Sequence, residues 1–238
     1  MNLINEVNPI KLQISKNLVK TIKRGHAWVY ADALRSTPMV QPGTPAILLD
    51  NRGGKEIGRG YYDPNSPIAM RVCSTQPFVP LDDAWAKERL QQAVLLRKAL
   101  FAPFNDTNAY RLFNGPGDGL PGLVCDIYHQ AAVFNPDGEA AEKFYNLPVI
   151  SHWLQNELDI QYAFTKSRVT GATAQILGPE LPQPVYFLEN GIQFTADLLS
   201  GQKTGFFLDQ RDNRQRIAPH AQGKSVLNLF GYTGGFSV

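Results

Sequence analysis

Glycines set directly behind an apolar run are the first residues here suited to holding a small molecule. Val226 to Phe230 runs into Gly231, Gly234 and Gly235. After a buried strand, such glycines let a ligand approach the backbone, and the next helix N-terminus can polarise it. The spacing Gly231-x-x-Gly234-Gly235 is not the dinucleotide pattern, and a turn needed only for packing uses the same residues. A second stretch runs from Lys203 to Arg214, where Phe206 and Phe207 lead into charged residues at an expected helix start. Asp209 is its candidate cap. Arg211 and Arg214, three apart, share a helix face that suits phosphate or carboxylate. A solvated helix with an aromatic anchor fits equally. A third stretch is Lys23-Arg24-Gly25-His26-Ala27-Trp28. Trp can stack on RNA bases while the cations meet phosphate, or Trp28 is buried beside a structural His26.

Two other motifs fail on context. Gly117-Asp118-Gly119-Leu120-Pro121-Gly122 matches G-x-G-x-x-G, but a strand follows it rather than a helix, so a rigid strand-to-strand turn is expected. Ser200-Gly201-Gln202-Lys203-Thr204 lacks the upstream glycine of a phosphate loop and reads as a polar loop. His129, His152 and His220 have no metal-ligand spacing, so no metal site is expected. Cys73 and Cys125 read as buried small apolar groups. Asp118 and Asp126 show no shared role, and no G-x-S-x-G occurs.

The elements that must position these residues fall into three units. Residues 1–75 hold short strands at Ile10–Ile14, Ala46–Leu49 and Ile68–Cys73. They also hold a short helix at Leu18–Arg24 stopped by Gly25, and a hairpin turn at Asn51–Gly54. Together these suggest a small β-barrel. Residues 76–180 start with a helix from Asp82 to Leu100, with Leu90, Ala93, Leu96 and Leu100 on one face. Asp82 or Asp83 caps it and Pro103 lies past its end. Strands at Tyr110–Phe113, Leu123–Tyr128 and Ala131–Phe134, a helix at Pro148–Leu158 and a strand near Gln161–Phe164 complete an α+β unit. Residues 181–238 hold a hairpin around Glu189-Asn190-Gly191, a helix from about Asp209 to Pro219, and a buried-type strand at Ser225–Phe230. Such a strand normally opens a βαβ unit, and a lone parallel-type strand cannot satisfy its backbone groups. The sequence is therefore expected to be a fragment of a longer protein.

The chain has 238 residues, 43% hydrophobic and 18% charged, which is globular composition. No run approaches the ~20 apolar residues that span a bilayer, and no basic cluster precedes an apolar core at the N-terminus. Two distant cysteines make no disulfide scaffold, so a reducing, cytoplasmic setting is expected. Net charge is +2 but uneven: residues 1–75 carry ten Lys and Arg against five Asp and Glu. That field suits nucleic acid, or it is a solvated basic face.

In order along the chain, these segments resemble a known family. Lys23–Trp28, Gly58–Ser66 and Ile68–Val72 are similar to a PUA-type RNA-binding domain. Gly117–Tyr128 resembles that family's central domain. Glu189–Gly191, Gly201–Arg214 and Val226–Val238 resemble the lead-in and first S-adenosylmethionine motif of its methyltransferase domain. The family is that of class I, S-adenosylmethionine-dependent methyltransferases acting on C5 of a cytosine in large-subunit ribosomal RNA. The resemblance implies an α+β multi-domain fold: a PUA-like β-barrel, a central α+β domain, and the opening hairpin, helix and first strand of a Rossmann-like domain. It implies that Asn228, Phe230, Gly231, Tyr232, Thr233, Gly234 and Gly235 cradle the methionine end of S-adenosylmethionine. Phe207, Asp209, Gln210 and Arg211 line or brace that pocket. Lys23, Arg24, His26, Trp28 and Arg71 face ribosomal RNA. No membrane partner is implied, and a homodimer is left open. The ribose-binding acid and the cysteine nucleophile are expected beyond residue 238, so these residues alone are expected to be inactive. Pro116 stands where many relatives carry an acid. The alternative reading is a non-catalytic RNA-binding module, marked by salt-steep RNA affinity without cofactor binding. A weaker third is a nucleotide-binding enzyme using the glycine turn.

Overall fold

The computed structural model describes residues 2–101 and 106–238; Pro103 lies outside them. The first unit holds β1 (Ile10–Gln13), α1 (Val19–Lys23), β2 (Trp28–Val29), β3 (Thr44–Leu49), β4 (Glu56–Tyr62) and β5 (Met70–Ser74). Their sheet order is β1-β3-β4-β5-β2, with β1 parallel to β3 and the other pairs antiparallel. The sheet curls until its edges meet. Ser15 N donates to Ala33 O at 2.7 Å and Arg35 N to Gln13 O at 2.8 Å. The barrel expectation holds, with Leu12, Ile14, Ile22, Leu48, Ile57 and Tyr62 in its core. β4 went unread in the sequence because Gly58 and Gly60 interrupt its alternation.

The second unit holds α2 (Asp83–Phe101), β6 (Ala109–Asn114), β7 (Val124–Tyr128), β8 (Ala131–Phe134), α3 (Glu139–Phe144), α4 (Leu147–Leu158), β9 (Tyr162–Lys166) and β10 (Thr173–Leu177). The sheet order is β10-β9-β8-β7-β6, and only β8–β9 is parallel, joined by the α3–α4 crossover. Asp82 caps α2 by accepting from Trp85 N at 2.9 Å. The expected apolar face of α2 is only half right. Leu90 and Ala93 are buried, whereas Leu96 and Leu100 are exposed, and Trp85, Ala86 and Val94 complete the packed face. The cause is length: 19 residues of helix run about 28 Å, against about 20 Å for the six-residue β6. The Gly117–Gly122 segment starts in a 3-10 turn, Gly115–Asp118, and continues as turns into β7, as its context required.

The barrel and the second unit share a core. Tyr61 of β4 stacks on Phe144 at 4.4 Å, and its phenol donates to Pro121 O at 2.8 Å. Tyr145 donates to the same carbonyl at 3.0 Å. Arg71, expected to face RNA, is instead buried. Its guanidinium donates to Asp137 at 2.9 Å and lies 3.9 Å from Asp63. Two carboxylates and a shared core enclose it.

The last segment holds β11 (Val185–Glu189), β12 (Ile192–Ala196) and α5 (Arg211–Ala221), the helix preceded by a 3-10 turn at Leu208–Gln210. Asn190 and Gly191 take φ of +51° and +78°, as the two-residue hairpin turn requires. α5 passes the expected stop and keeps Pro219 in its last turn. Phe187, Phe194, Leu198 and Phe206 pack with Tyr128, Val133 and Phe164 on the second face of the central sheet. The expected strand at Ser225–Phe230 does not form. No described strand lies beside it, so its backbone gains no ladder, and Leu227 and Phe230 stay exposed. Of the expected Rossmann-like opening, the hairpin and helix are present and the strand is absent.

After β12, Asp197 folds a turn. Its carboxylate is held below the ordinary 3.8 by the Ser200 hydroxyl, then by the N–H groups of Ser200 and Leu199. A depressed folded value means that this stabilisation is whole above pH 3.8 and is lost as pH falls through the folded value. Asp197→Asn should therefore flatten the acid side of the stability–pH curve below pH 3.8, read by urea unfolding at each pH.

Candidate functional site

The central sheet forms the platform for the site. Asp126 on β7 accepts two hydrogen bonds from Arg111 at 2.8 and 3.0 Å, and one from the Thr204 hydroxyl at 2.6 Å. The phenol of Tyr128 lies 3.0 Å from that hydroxyl and accepts from Phe206 N at 3.1 Å. Burial pushes the Tyr128 phenol up, so it stays a neutral donor. Lys166 on β9 donates to Gly201 O at 2.8 Å. Residues 201–206 are thereby pinned to two strands. Thr204→Val keeps the shape but leaves Asp126 facing a methyl group. It should cost about 1–3 kcal/mol by urea unfolding.

Beyond this pinned segment the chain turns back on itself. Phe207, Gln210 and Arg214 on one side, and Asn228 to Gly235 on the other, enclose a cavity of about 260 Å³. Tyr232 packs edge-on to Phe207 at 5.3 Å and accepts from Gln202 N at 3.0 Å. Asn228 donates to the Ser237 hydroxyl at 2.8 Å. A Cβ on Gly235 would sit 3.2 Å from Phe206 Cζ, so a side chain there would press into the wall.

Arg214 anchors the wall from inside. It donates to both Glu189 oxygens at 2.7 and 2.6 Å and to Phe207 O at 3.1 Å. Its guanidinium lies 4.7 Å from the Phe206 ring centroid and 5.8 Å from that of Phe236. Arg214 thus meets a carboxylate, as the sequence allowed, but Arg211 does not share that partner. Arg214 turns inward because Glu189 offers a buried carboxylate.

The 260 Å³ cavity gathers Phe207, Gln210, Asn228, Phe230, Gly231, Tyr232, Thr233 and Gly235 from the expected cofactor set. Gly234 lies in the same loop, with φ of +75°. Asp209 and Arg211 are placed elsewhere. They line a second cavity of about 350 Å³ with Leu96, Leu100, Tyr110 and Arg111. Asp209 does not cap α5. It pairs with Lys203 at 3.1 Å, and Lys203 lies 4.2 Å from the Phe207 ring centroid. Arg211 stacks on Phe101 at 4.7 Å. Asp118 and Asp126, unassigned from sequence, hold Arg97 and Arg111. Sequence reasoning missed Asp126, Tyr128 and Thr204 as a unit, because their partners lie 76 and 78 positions apart and leave no local signal.

On the barrel, Lys23, Arg24, His26 and Trp28 are all exposed on neighbouring positions of one segment. The rings of His26 and Trp28 meet edge-on at 6.1 Å. Trp28 is 39% exposed and Tyr30 45%, which removes the buried-Trp28 alternative. Burial pushes the thiols of half-buried Cys73 and buried Cys125 up, which disfavours the reactive thiolate at both. Among the described residues no three His, Cys, Asp or Glu side chains group as metal ligands, and no helix is long and apolar enough to cross a membrane.

Comparison with known proteins matches the two ends of the chain separately. Residues 12–75 match the PUA-like domain, and residues 158–238 match the S-adenosylmethionine-dependent methyltransferase family. A ribosomal RNA large subunit methyltransferase of Deinococcus radiodurans is 38% identical, over 96% of this chain and 59% of the relative. Ribosomal RNA large subunit methyltransferase I of Alteromonas mediterranea is 35% identical, over 92% of this chain and 56% of the relative. A solved structure provisionally described as a methyltransferase complexed with SAH superposes with a TM-score of 0.81 at 28% identity, over 96% of this chain and 58% of that one. The chain thus spans a little under three-fifths of the length of the curated relatives it matches. In content it is a segment similar to PUA-like domains, a central α+β unit, and a segment similar to S-adenosylmethionine-dependent methyltransferases.

Proposed function

We propose that this chain supplies the S-adenosylmethionine-binding cavity of about 260 Å³ and the RNA-binding face of an enzyme that methylates C5 of a cytosine in large-subunit ribosomal RNA. The observation that carries this reading is the loop from Asn228 to Gly235 folded against Phe207 and Gln210. It does so in a chain similar over 96% of its length to a ribosomal RNA methyltransferase. The cavity volume is below the ~300–1,000 Å³ of whole small-molecule sites, so it suits one end of an elongated ligand. Gly231 and Gly235 keep that space open: a Cβ on Gly231 would lie 3.1 Å from Asn228 Nδ2. The aromatic walls suit the methionine end, whose cationic groups are drawn to ring faces. When bound, the cofactor supplies an electrophilic methyl group.

The residues present bind and orient. Arg214 and Tyr232 hold the two walls of the cavity at a set spacing, which aligns the reacting groups. Lys23 and Arg24 meet phosphate, and Trp28 with His26 stacks on a base. Cytosine C5 needs a thiolate adding at C6 to become nucleophilic. Cys125 is buried and Cys73 partly so, and burial raises both thiols, so that role goes to neither.

The test uses the native protein from its source. Its intact mass is measured, and labelled methyl transfer to naked ribosomal RNA is followed by nucleoside analysis. Label in 5-methylcytosine supports the proposal. No transfer to any ribosomal RNA overturns the activity, and salt-steep RNA binding without cofactor binding would leave an RNA-binding module. Independently, the Lys23→Ala, Arg24→Ala double variant should lower the slope of log affinity against log salt by about 1–2. Trp28→Ala should weaken RNA binding by about 1–3 kcal/mol, measured by filter binding.

A further inference from the structure

A cleft of about 400 Å³ shares no lining residue with either cavity described above or with the basic face. Ile4, Phe144, Leu147 and Ile176 supply apolar walls. Glu142 on α3 and Thr165 on β9 also line it. Each holds a buried side-chain oxygen, Glu142 Oε1 and Thr165 Oγ1, with no hydrogen-bond partner. The adjacent Lys143 does not serve Glu142, since it pairs with Glu139 at 2.8 Å. Buried polar atoms without a partner are rare and costly, and a carboxylate oxygen is the costliest kind. Both belong to residues that line one cleft, which points to something that supplies donors.

We propose that this cleft binds a small organic cation, a primary ammonium or guanidinium group carried on an apolar body. The ionised Glu142 oxygen can only accept, and the Thr165 hydroxyl can accept as well as donate, so a donating ligand satisfies both. One belongs to a carboxylate, so a positive donor is favoured over a neutral one. The walls of Ile4, Phe144, Leu147 and Ile176 take the apolar part. The volume lies in the range of small-molecule sites. Glu142 and Thr165 are half-buried and their orphaned oxygens are enclosed, so binding requires each side chain to turn its oxygen into the cleft. Water could supply a donor but would leave the apolar walls uncovered. This site is independent of methyl transfer, and its failure would leave that reading untouched.

The test is titration calorimetry of the whole protein with benzylamine, benzylguanidine and neutral benzyl alcohol. One equivalent of at least one of the two cations should bind at millimolar probe, with benzyl alcohol at least tenfold weaker. Glu142→Gln keeps the side-chain shape and should weaken cation binding at least tenfold. Ile176→Trp fills the cleft without touching the carboxylate and should abolish binding. Circular dichroism checks that each variant is folded; if Glu142→Gln is not, Ile176→Trp and the neutral probe decide. Equal binding of benzyl alcohol, unchanged affinity in a folded variant, or no binding of either cation overturns the proposal.

Discussion

An Arg214→Met protein is expected to lose about 3–5 kcal/mol of unfolding free energy. The reason lies in what is left behind. Glu189 is only 2% exposed, and Arg214 supplies both hydrogen bonds to its carboxylate. Methionine occupies similar volume but gives the charge no partner. The loss should exceed that from opening an exposed pair such as Lys16–Asp32, worth about 0–1 kcal/mol. The double variant Arg214→Met, Glu189→Leu removes both charges and should regain most of the loss. Urea unfolding of the two variants and the wild type measures this directly. A double variant no more stable than Arg214→Met would mean that the cost comes from the Phe206 and Phe236 contacts and not from the stranded carboxylate. Cofactor affinity should fall with Arg214→Met, because the same guanidinium holds Phe207 O and the cavity wall.

Gly122→Ala should cost about 3 kcal/mol or more, and the damage should fall on the joint between barrel and central unit. Gly122 has φ of +82°, a conformation that costs an L side chain about 1–2 kcal/mol. A Cβ there would also overlap the Tyr61 hydroxyl and sit 2.9 Å from Asp137 Oδ1. Overpacking of that kind adds about 1–3 kcal/mol. Relief is impeded, because Tyr61 is stacked on Phe144 and bonded to Pro121, while Asp137 holds Arg71. Adding Tyr61→Phe removes the overlapping oxygen and should recover part of the loss, leaving the backbone cost. Gly54→Ala is the control, since nothing lies within 4 Å of a Cβ there. Near-UV circular dichroism should report the displaced tyrosines.

Elements with strong local chemistry were legible before any coordinates. The Asn190-Gly191 hairpin, α4 with Pro148 in its first turn, and the strand after Gly122 all formed where expected. Each depends on neighbours within a few residues: paired positive φ, a missing N–H, or alternation. The barrel was legible in class but not in detail. β2 is two residues long and β4 carries two glycines, so neither shows a period. For the site, the sequence placed the glycine loop and Phe207 together through a family resemblance. It did not separate Asp209 and Arg211, which face a different cavity.

The sequence by itself determined many of the helices, strands and turns, the α+β class, and the two chemically suited stretches at Lys23–Trp28 and Asn228–Gly235. Those follow from propensity, period and turn chemistry, which act over a few residues. Only the tertiary structure decided where charged side chains point. Arg71 and Arg214 look like surface cations in the sequence, yet both are buried because Asp137 and Glu189, 66 and 25 positions away, meet them. The same holds for Ser225–Phe230, apolar enough for a buried strand, which stays exposed with no described strand beside it. A residue's burial is set by partners far along the chain, and a strand by the hydrogen bonds of its neighbour.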